Sequence, residues 1–427
     1  MCGIAGAFYK EEKDSFNAFN FTANAIKDII YRGPDDNETV ERNNICLGSC
    51  RLAINDTREI ANMPMESECS RYLLVFNGEI YNYRELRENL VGQFSFKTSS
   101  DTEVVLNSFI KYGTSCFDKF EGMFALAIWD ELEKKLILAR DRLGKKPLFY
   151  FQNNNYLFFC SELNPLKKAS NNLLKINNSF VEEIAIFGEQ SINKTAYKNI
   201  FRISPNSFCE ISILRQEIKK KNYKYKSIFQ LDNFERNSKT NLYDTLLKAT
   251  RVRLLADRPV AIALSGGTDS AVLCKLISDL DCKKPPAFTL RFHKKDIEVT
   301  RAAKVAKKYK LDHHIIDYKD DESYFFNILK SIGEPYCDPA IAYLSYISKS
   351  LPKEIKVLLT GDGGDEAFLG YSKYSFSFYY SKIPFLIRKL ICSIQPNTYN
   401  STNKLIQTIA NRIHIMNVYS SSNMKNL

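Results

Sequence analysis

Residues 259–280 read PVAIALSGGTDSAVLCKLISDL, and this stretch decides the architecture of the carboxy-terminal half. The apolar run after Pro259, closed by glycines, has the length and branched content of a buried strand. Ser265-Gly266-Gly267 then make a tight loop, and a helix is expected from about Thr268. Strand, glycine loop and helix in succession open a parallel α/β domain. Glycines let backbone N–H groups approach an anion, and the helix N-terminus adds its positive end. The loop lacks the lysine of a Walker loop, so it reads as a phosphate cradle of another kind.

Working outward, a helix is expected near Asn241–Leu255, and before it residues 206–238 are polar and Lys/Asn-rich, as a linker would be. Residues 1–205 hold short β-like runs: GIAGAFY, NICLGSCRLAI, YLLVFNGEI, FALAIWD, KLILARD, PLFYF and YLFFCSE. Between them, residues 22–32 and 101–113 have helical periodicity. Asp101 stands at the expected cap of the second helix, with Glu103 in its first turn. The expected organisation is therefore a domain at 1–205, a linker at 206–238 and a second domain at 239–427.

A length of 427 residues exceeds one typical core, which agrees with two domains. Hydrophobic content of 44% and charged content of 26% are those of an ordinary soluble globular chain. No apolar run reaches the ~18 residues that span a bilayer, and the first twenty residues carry acids and no long apolar core. A cytoplasmic protein without a membrane partner is expected. The eleven cysteines form no CxxC pair and no zinc-spaced cluster, so most are expected to be reduced and buried. The net charge of +11 sits largely in Lys-rich runs such as 218–226 and 304–310. No nucleic-acid motif accompanies these runs, so they read as solvated surface.

Cys2 carries the first chemical signal. Removal of Met1 by an aminopeptidase is favoured by a small second residue, and it would put an α-amine and a thiol on one residue. An α-amine titrates at about 7.7–8.0, so part of it is free base at neutral pH and can take the thiol proton. No histidine is required.

Cys2 does not stand alone. The motifs CGIAGAF (2–8), YRGPDD (31–36), CRLAI (50–54), FNGEIYNYRELR (76–87), SSDTEVVL (99–106), FEGMFALAIWD (120–130) and RDRLGKKPLFY (140–150) occur in one order. In that order they resemble the class II glutamine amidotransferases. The resemblance implies an αββα N-terminal-nucleophile fold with Cys2 as nucleophile. It further implies that Asn77 and the N–H of Gly78 form an oxyanion hole. Glutamine would be bound by Arg51, Ile54, Asn77, Gly78, Glu79 and Asp101, with Arg51 on the α-carboxylate and Asp101 and the main chain at Glu79 on the α-ammonium. Tyr31 departs from the histidine usual in asparagine synthetases at that position.

The loop LSGGTDS (264–270) resembles the pyrophosphatase loop of enzymes that split ATP into AMP and pyrophosphate. AFTLRF (287–292), the segment 296–316, GEPYCDPAIA (333–342) and LLTGDGGDEAFLGY (358–371) resemble the synthetase domain of asparagine synthetases. The resemblance implies ATP bound by Leu264, Ser265, Gly266, Gly267, Asp269, Ser270, Leu290, Thr360 and Gly361. It implies Mg2+ held at Asp269 and Asp365, oxygen ligands that suit that ion. Asp362 stands where studied members carry a catalytic glutamate.

The implied reaction is glutamine-dependent asparagine synthesis. Glutamine is hydrolysed at Cys2, ammonia moves through an internal tunnel, and aspartate is activated by ATP as β-aspartyl-AMP. Related amidotransferases that make glucosamine phosphate or phosphoribosylamine lack SGGTDS and GDGGDE, and a β-lactam-forming relative would lack Cys2. The resemblance runs to about residue 395, whereas family members continue with an R-x-P-F-L-D segment and a later lysine at the leaving pyrophosphate. The expectation is a shortened second domain, in a chain that binds ATP and hydrolyses glutamine but makes asparagine hundreds-fold more slowly than a full-length relative. The alternatives stay open: a truncated or divergent homologue, completion by a second polypeptide or a homodimer, amidation of another carboxylate such as a polysaccharide sugar acid, or a second domain that only binds nucleotide and regulates the glutaminase.

Overall fold

The structure is a computed structural model that describes residues 1–11, 14–153, 155–170, 173–188, 192–212, 217–223, 241–319, 321–372, 374, 378–379 and 382–384. Strands of the first half are β1 (Gly3–Tyr9), β2 (Asp36–Arg42), β3 (Ile45–Arg51), β4 (Met65–Glu66), β5 (Tyr72–Ile80) and β6 (Gly122–Asp130). They continue with β7 (Lys135–Arg140), β8 (Phe149–Gln152), β9 (Tyr156–Cys160), β10 (Ile200–Arg202), β11 (Ser207–Ser212) and β12 (Glu217–Asn222). Two antiparallel sheets result, ordered β10-β8-β9-β1-β3-β2 and β12-β11-β7-β6-β5-β4.

Both sheets are covered on both faces, which is why strands such as β1 are buried at every residue. Successive side chains of a strand point to opposite faces. Ile4 and Phe8 of β1 meet Leu73, Val75 and Trp129 between the sheets, while Ala5, Ala7 and Tyr9 face the helix Ser15–Asp28. On the far side, Phe76, Leu126 and Ile128 pack against Val105 and Phe109 of the helix Asp101–Tyr112. This is the expected αββα layering.

Two expectations need adjustment. The cap of the helix Asp101–Tyr112 is Ser100, whose hydroxyl accepts the Thr102 N–H at 3.0 Å, and Asp101 is the first helical residue. The Asp101 carboxylate is thereby free to turn toward β5. The stretch from 206 begins with β11 and β12, which extend the second sheet, with Ser207 opposite Arg140 of β7. An edge strand such as EIKKKN has no strand beyond it and carries lysines outward, so its composition looks like a linker. Residues 224–240, which include the rest of the expected linker, and the tail from 385 lie outside the described residues.

The second half begins with the helix Leu242–Arg253, capped by the Asn241 side chain, which accepts the Tyr243 N–H at 3.0 Å. It continues with β13 (Val260–Ala263), β14 (Ala287–Arg291), β15 (His313–Asp317) and β16 (Val357–Leu359), all parallel and ordered β15-β14-β13-β16. The chain leaves β13 to one side and returns on the other, so β13 and β16 flank a switch point where ligands of open α/β sheets bind. No helix among the described residues is long and apolar enough to cross a membrane.

The halves touch through buried polar contacts. Arg202 pairs with Glu334, whose other oxygen accepts the Ala196 N–H at 3.1 Å. Tyr197 and Lys167 both donate to the Gly333 carbonyl, at 3.1 and 3.0 Å.

Candidate active sites

β1 starts one residue after Cys2 and pairs Gly3 with Cys50, which sets the Cys2 thiol against the end of β3. The Leu52 N–H points at the Cys2 sulfur, 3.4 Å away. Arg32 donates from Nε to the Cys2 carbonyl at 3.0 Å and from a terminal nitrogen to Glu162 at 2.5 Å, so the turn before β1 is fixed by an ion-paired guanidinium. Burial pushes the Cys2 thiol above its ordinary value, while the nearby N-terminal amine and the Leu52 backbone oppose that rise. The amine of the unprocessed chain, on Met1, is held down to about 5 by burial, with the Lys146 and Arg32 charges acting in the same direction.

Asn77 and Glu79 share one face of β5, as residues two apart must. Asn77 is fully enclosed, and neither atom of its side-chain amide has a hydrogen-bond partner. A buried amide left unpaired costs about 1–3 kcal/mol, which makes Asn77 a candidate for hydrogen bonding to a bound molecule. Glu79 accepts from Asn55 at 2.5 Å, and burial together with the neighbouring Asp101 charge raises its carboxyl well above the usual range. Asp101 accepts the Ile80 N–H at 2.9 Å, and burial lifts it to about 6 against the hydrogen bonds that favour its charged form.

Arg51 is buried at the end of β3, and its terminal nitrogens are already engaged. They donate to the carbonyls of Arg58 at 3.0 Å, Asn55 at 3.2 Å and Asp56, and to the Asn62 side chain at 2.6 Å. The guanidinium therefore organises the loop 55–62. Ile54 immediately precedes that loop.

In the second half a cavity of about 950 Å³ opens at the carboxyl ends of β13 and β16. Leu264, Ser265, Gly267, Asp269, Ser270, Leu290, Thr360, Gly361, Asp362 and Asp365 all line it. Gly266 lies behind the lining with φ of 77°, a left-handed turn, and a Cβ there would come within 2.6 Å of the Glu298 carbonyl. The helix Thr268–Asp279 has Gly267 as its N-cap with no side chain capping its first turn, and Gly267, Thr268, Asp269 and Ser270 all line the cavity. Thr360 donates to Asp362 at 2.8 Å. The loop after β16 presses on that helix so closely that a Cβ on Gly364 would lie 2.2 Å from Oδ2 of Asp269. Among the described residues no group of three or more His, Cys, Asp or Glu side chains forms a ready-made metal cluster.

The structure thus brings the residues expected from sequence into two places. Sequence reading missed Lys146, which is buried and held down to about 8 by burial and by Arg32, in the field of Glu79 and Cys2. Its motif, RDRLGKKPLFY, was visible, but only the fold turns that lysine to Cys2. Glu298, Tyr336, Asp338 and Glu366 also line the large cavity; they lie within the quoted segments 296–316, 333–342 and 358–371 but were given no role there.

Comparison with known proteins accords with this two-site arrangement. A glutamine amidotransferase domain model matches residues 1–224, and an asparagine synthase model matches residues 241–422. The putative asparagine synthetase [glutamine-hydrolyzing] 2 of Methanocaldococcus jannaschii is 32% identical over 403 residues, covering 87% of this chain and 76% of that protein. Asparagine synthetases [glutamine-hydrolyzing] 1 and 2 of Bacillus subtilis are 29% and 30% identical, each over nearly nine-tenths of this chain. The chain spans 59% and 52% of their lengths. It belongs to the glutamine-hydrolysing asparagine synthetase family.

Proposed function

We propose that the chain hydrolyses glutamine at Cys2 and uses the ammonia for ATP-dependent amidation of aspartate, giving asparagine, glutamate, AMP and pyrophosphate. The observation that carries the glutaminase half is the enclosed, unpartnered amide of Asn77 on the strand beside Cys2. With Met1 removed, the Cys2 amine takes the thiol proton as sulfur attacks the glutamine amide carbon. The amide oxygen, gaining negative charge, is met by the Asn77 Nδ2–H and the Gly78 N–H. Ammonia leaves, a thioester remains on Cys2, and water releases glutamate. Asp101 and the Glu79 main chain hold the α-ammonium, and Arg51 supplies the positive field for the α-carboxylate, with Ile54 alongside.

The second half of the reading is supported by the glycine cradle at the switch point. Ser265, Gly266, Gly267 and Ser270 would receive the ATP phosphates, and Leu264, Leu290, Thr360 and Gly361 the remainder of the nucleotide. The open helix start and the oxygen-only character of Asp269 and Asp365 suit a magnesium-bound polyphosphate. That ion would offset charge on the leaving pyrophosphate. Asp362 would orient the reacting groups.

The deciding experiment incubates the purified chain with Mg-ATP, aspartate and either glutamine or ammonium, and measures glutamate, asparagine and pyrophosphate separately. Asparagine formed together with pyrophosphate supports the full reading. Pyrophosphate that appears only with another carboxylate would replace aspartate as acceptor, and glutamate without pyrophosphate would restrict the function to glutamine hydrolysis.

A further inference from the structure

The loop that shapes the glutamine pocket is held from the other half of the chain. Asp257 accepts the Asp56 N–H through Oδ2 at 2.8 Å, and its own N–H donates to the Ile54 carbonyl at 3.0 Å. Arg258 reaches the Ala53 carbonyl from Nε at 3.3 Å. Two consecutive residues from the second half therefore bracket four consecutive residues of the first, across some two hundred positions of sequence.

The bracketed loop has work to do in the pocket. Its Asn55 and Asp56 carbonyls accept from Arg51, and the Asn55 side chain donates to Glu79 at 2.5 Å. The Asp56 carboxylate takes the Ser99 N–H at 2.6 Å and the Arg58 guanidinium, which ties the loop to the turn that leads into Asp101. Asp56 itself has φ of 49°, a left-handed conformation that a non-glycine residue keeps only where its surroundings impose it. The N–H of that same residue is the one that Asp257 holds.

We propose that Asp257 is a positioning residue of the glutamine site, supplied by the second half, which fixes the Ala53–Asp56 loop so that Arg51, Glu79 and Asp101 converge on one ligand. Its place in the chain gives the latch a further consequence. Asp257 lies just before β13, and the far end of β13 opens into Ser265, so one short strand joins the glutamine loop to the phosphate cradle. The inference rests on the glutaminase reading for its ligand, and on hydrogen bonds alone for its geometry.

The test uses the intact chain, with glutamine as the only substrate and no nucleotide. Asp257→Ala should raise the glutamine KM about tenfold with kcat within about twofold, the size expected when one charge-assisted hydrogen bond to a binding loop is lost. Asp257→Asn keeps an oxygen that can accept the Asp56 N–H, and should stay within about threefold of the unaltered KM. Amide hydrogen exchange should speed up across residues 53–58 in Asp257→Ala and stay unchanged across β13–β16. If Asp257→Ala does not fold, Arg258→Ala removes only the Ala53 link and should show the same exchange pattern with a rise in KM of about threefold. An unaltered KM in Asp257→Ala, an Asn variant as impaired as the Ala variant, or unchanged exchange at 53–58 each overturns the proposal. Absence of glutamine hydrolysis in the unaltered chain counts against the function itself, and the exchange measurement then decides the latch.

Discussion

Asp101 accepts the backbone N–H of Ile80 at 2.9 Å, so the carboxylate that opens the helix Asp101–Tyr112 is fastened to the strand that carries Asn77, Gly78 and Glu79. A single hydrogen bond thus couples two elements of the proposed glutamine pocket. The Ile80 amide holds one carboxylate oxygen and the Ser100 hydroxyl approaches the other at 3.5 Å, and in the proposed function a ligand cation adds to these. Burial makes the charge costly until such a cation arrives.

That cost gives a pH prediction. The Asp101 carboxyl is raised from 3.8 to about 6, so the folded chain holds this proton more tightly than the unfolded chain does. The resulting stabilisation is complete below about pH 4 and is lost as pH rises toward 6. Asp101→Asn should flatten that part of the stability curve, measured as urea midpoints between pH 4 and 7. Glutamine binding runs the other way, since its ammonium needs the ionised carboxylate. The glutamine KM of the unaltered chain should climb as pH falls below about 6, and in Asp101→Asn it should be high throughout.

Asn77 separates catalysis from stability. Removing one oxyanion donor commonly costs about 2.7–4 kcal/mol of transition-state stabilisation, so Asn77→Ala should lower kcat for glutamine by about 10²–10³. The amide it deletes has no partner in the folded chain, so stability should fall by little, within about 1 kcal/mol. Glutaminase assays beside thermal melts check both halves. A large loss of stability would mean that the amide has a structural partner.

Cys2→Ala should abolish glutamine hydrolysis, and blocking removal of Met1 should do the same. The reason is electrostatic as well as chemical. In the unprocessed chain the amine that burial and the cations Lys146 and Arg32 hold down belongs to Met1, one residue away from the thiol. Mass spectrometry on active protein decides the point, since fully active chains with Met1 in place would sink the mechanism.

Much of this was legible because the motifs are local. Cys2 at a strand start, Asn77-Gly78 inside an apolar strand and Ser265–Ser270 between strand and helix each carry their structural context in the neighbouring residues. Asp257, Lys146 and Glu334 do not. Each acts on a residue more than a hundred positions away, and such contacts leave no periodic trace in one sequence. The edge strand β12 failed to register for a different reason. Lys219 and Lys221 are exposed, and so many cations in one short run hide the strand pattern. Asp101 looked like a cap because it is the acid at the helix start, yet Ser100 lies one residue earlier with the geometry to cap.

The junction between halves should be sensitive to Glu334. Its carboxylate is buried, paired with Arg202 and bonded to the Ala196 N–H. Glu334→Ala strands the Arg202 charge, and breaking a buried pair from one side commonly costs about 3–5 kcal/mol. Glu334→Gln keeps an acceptor for Ala196 and should lose less. Urea unfolding of the three proteins should rank them in that order, and equal midpoints would show that the pair contributes nothing to docking.

The two proposed sites should fail independently, and Gly364 offers a steric way to show it. Asp269 sits at the start of the helix behind the phosphate cradle, and the loop after β16 closes over it through two glycines. A methyl group on Gly364 would lie 2.2 Å from Oδ2 of Asp269, and one on Gly361 would lie 2.9 Å from the Ser270 nitrogen, both inside van der Waals contact. Gly364→Ala must therefore displace either the loop or the carboxylate proposed to hold magnesium. β5 and the Cys2 turn belong to the two antiparallel sheets of the first half, apart from the parallel sheet whose loop after β16 carries both glycines. Gly364→Ala and Asp269→Ala should each lower pyrophosphate release at least a hundredfold while leaving glutamate release from glutamine within about twofold. The two rates are measured on the same preparations, with circular dichroism to confirm the fold. Loss of glutamine hydrolysis in a folded Gly364→Ala protein would mean that the cradle controls the thiol site. In that case the β13 connection through Asp257 becomes the first place to look for the coupling.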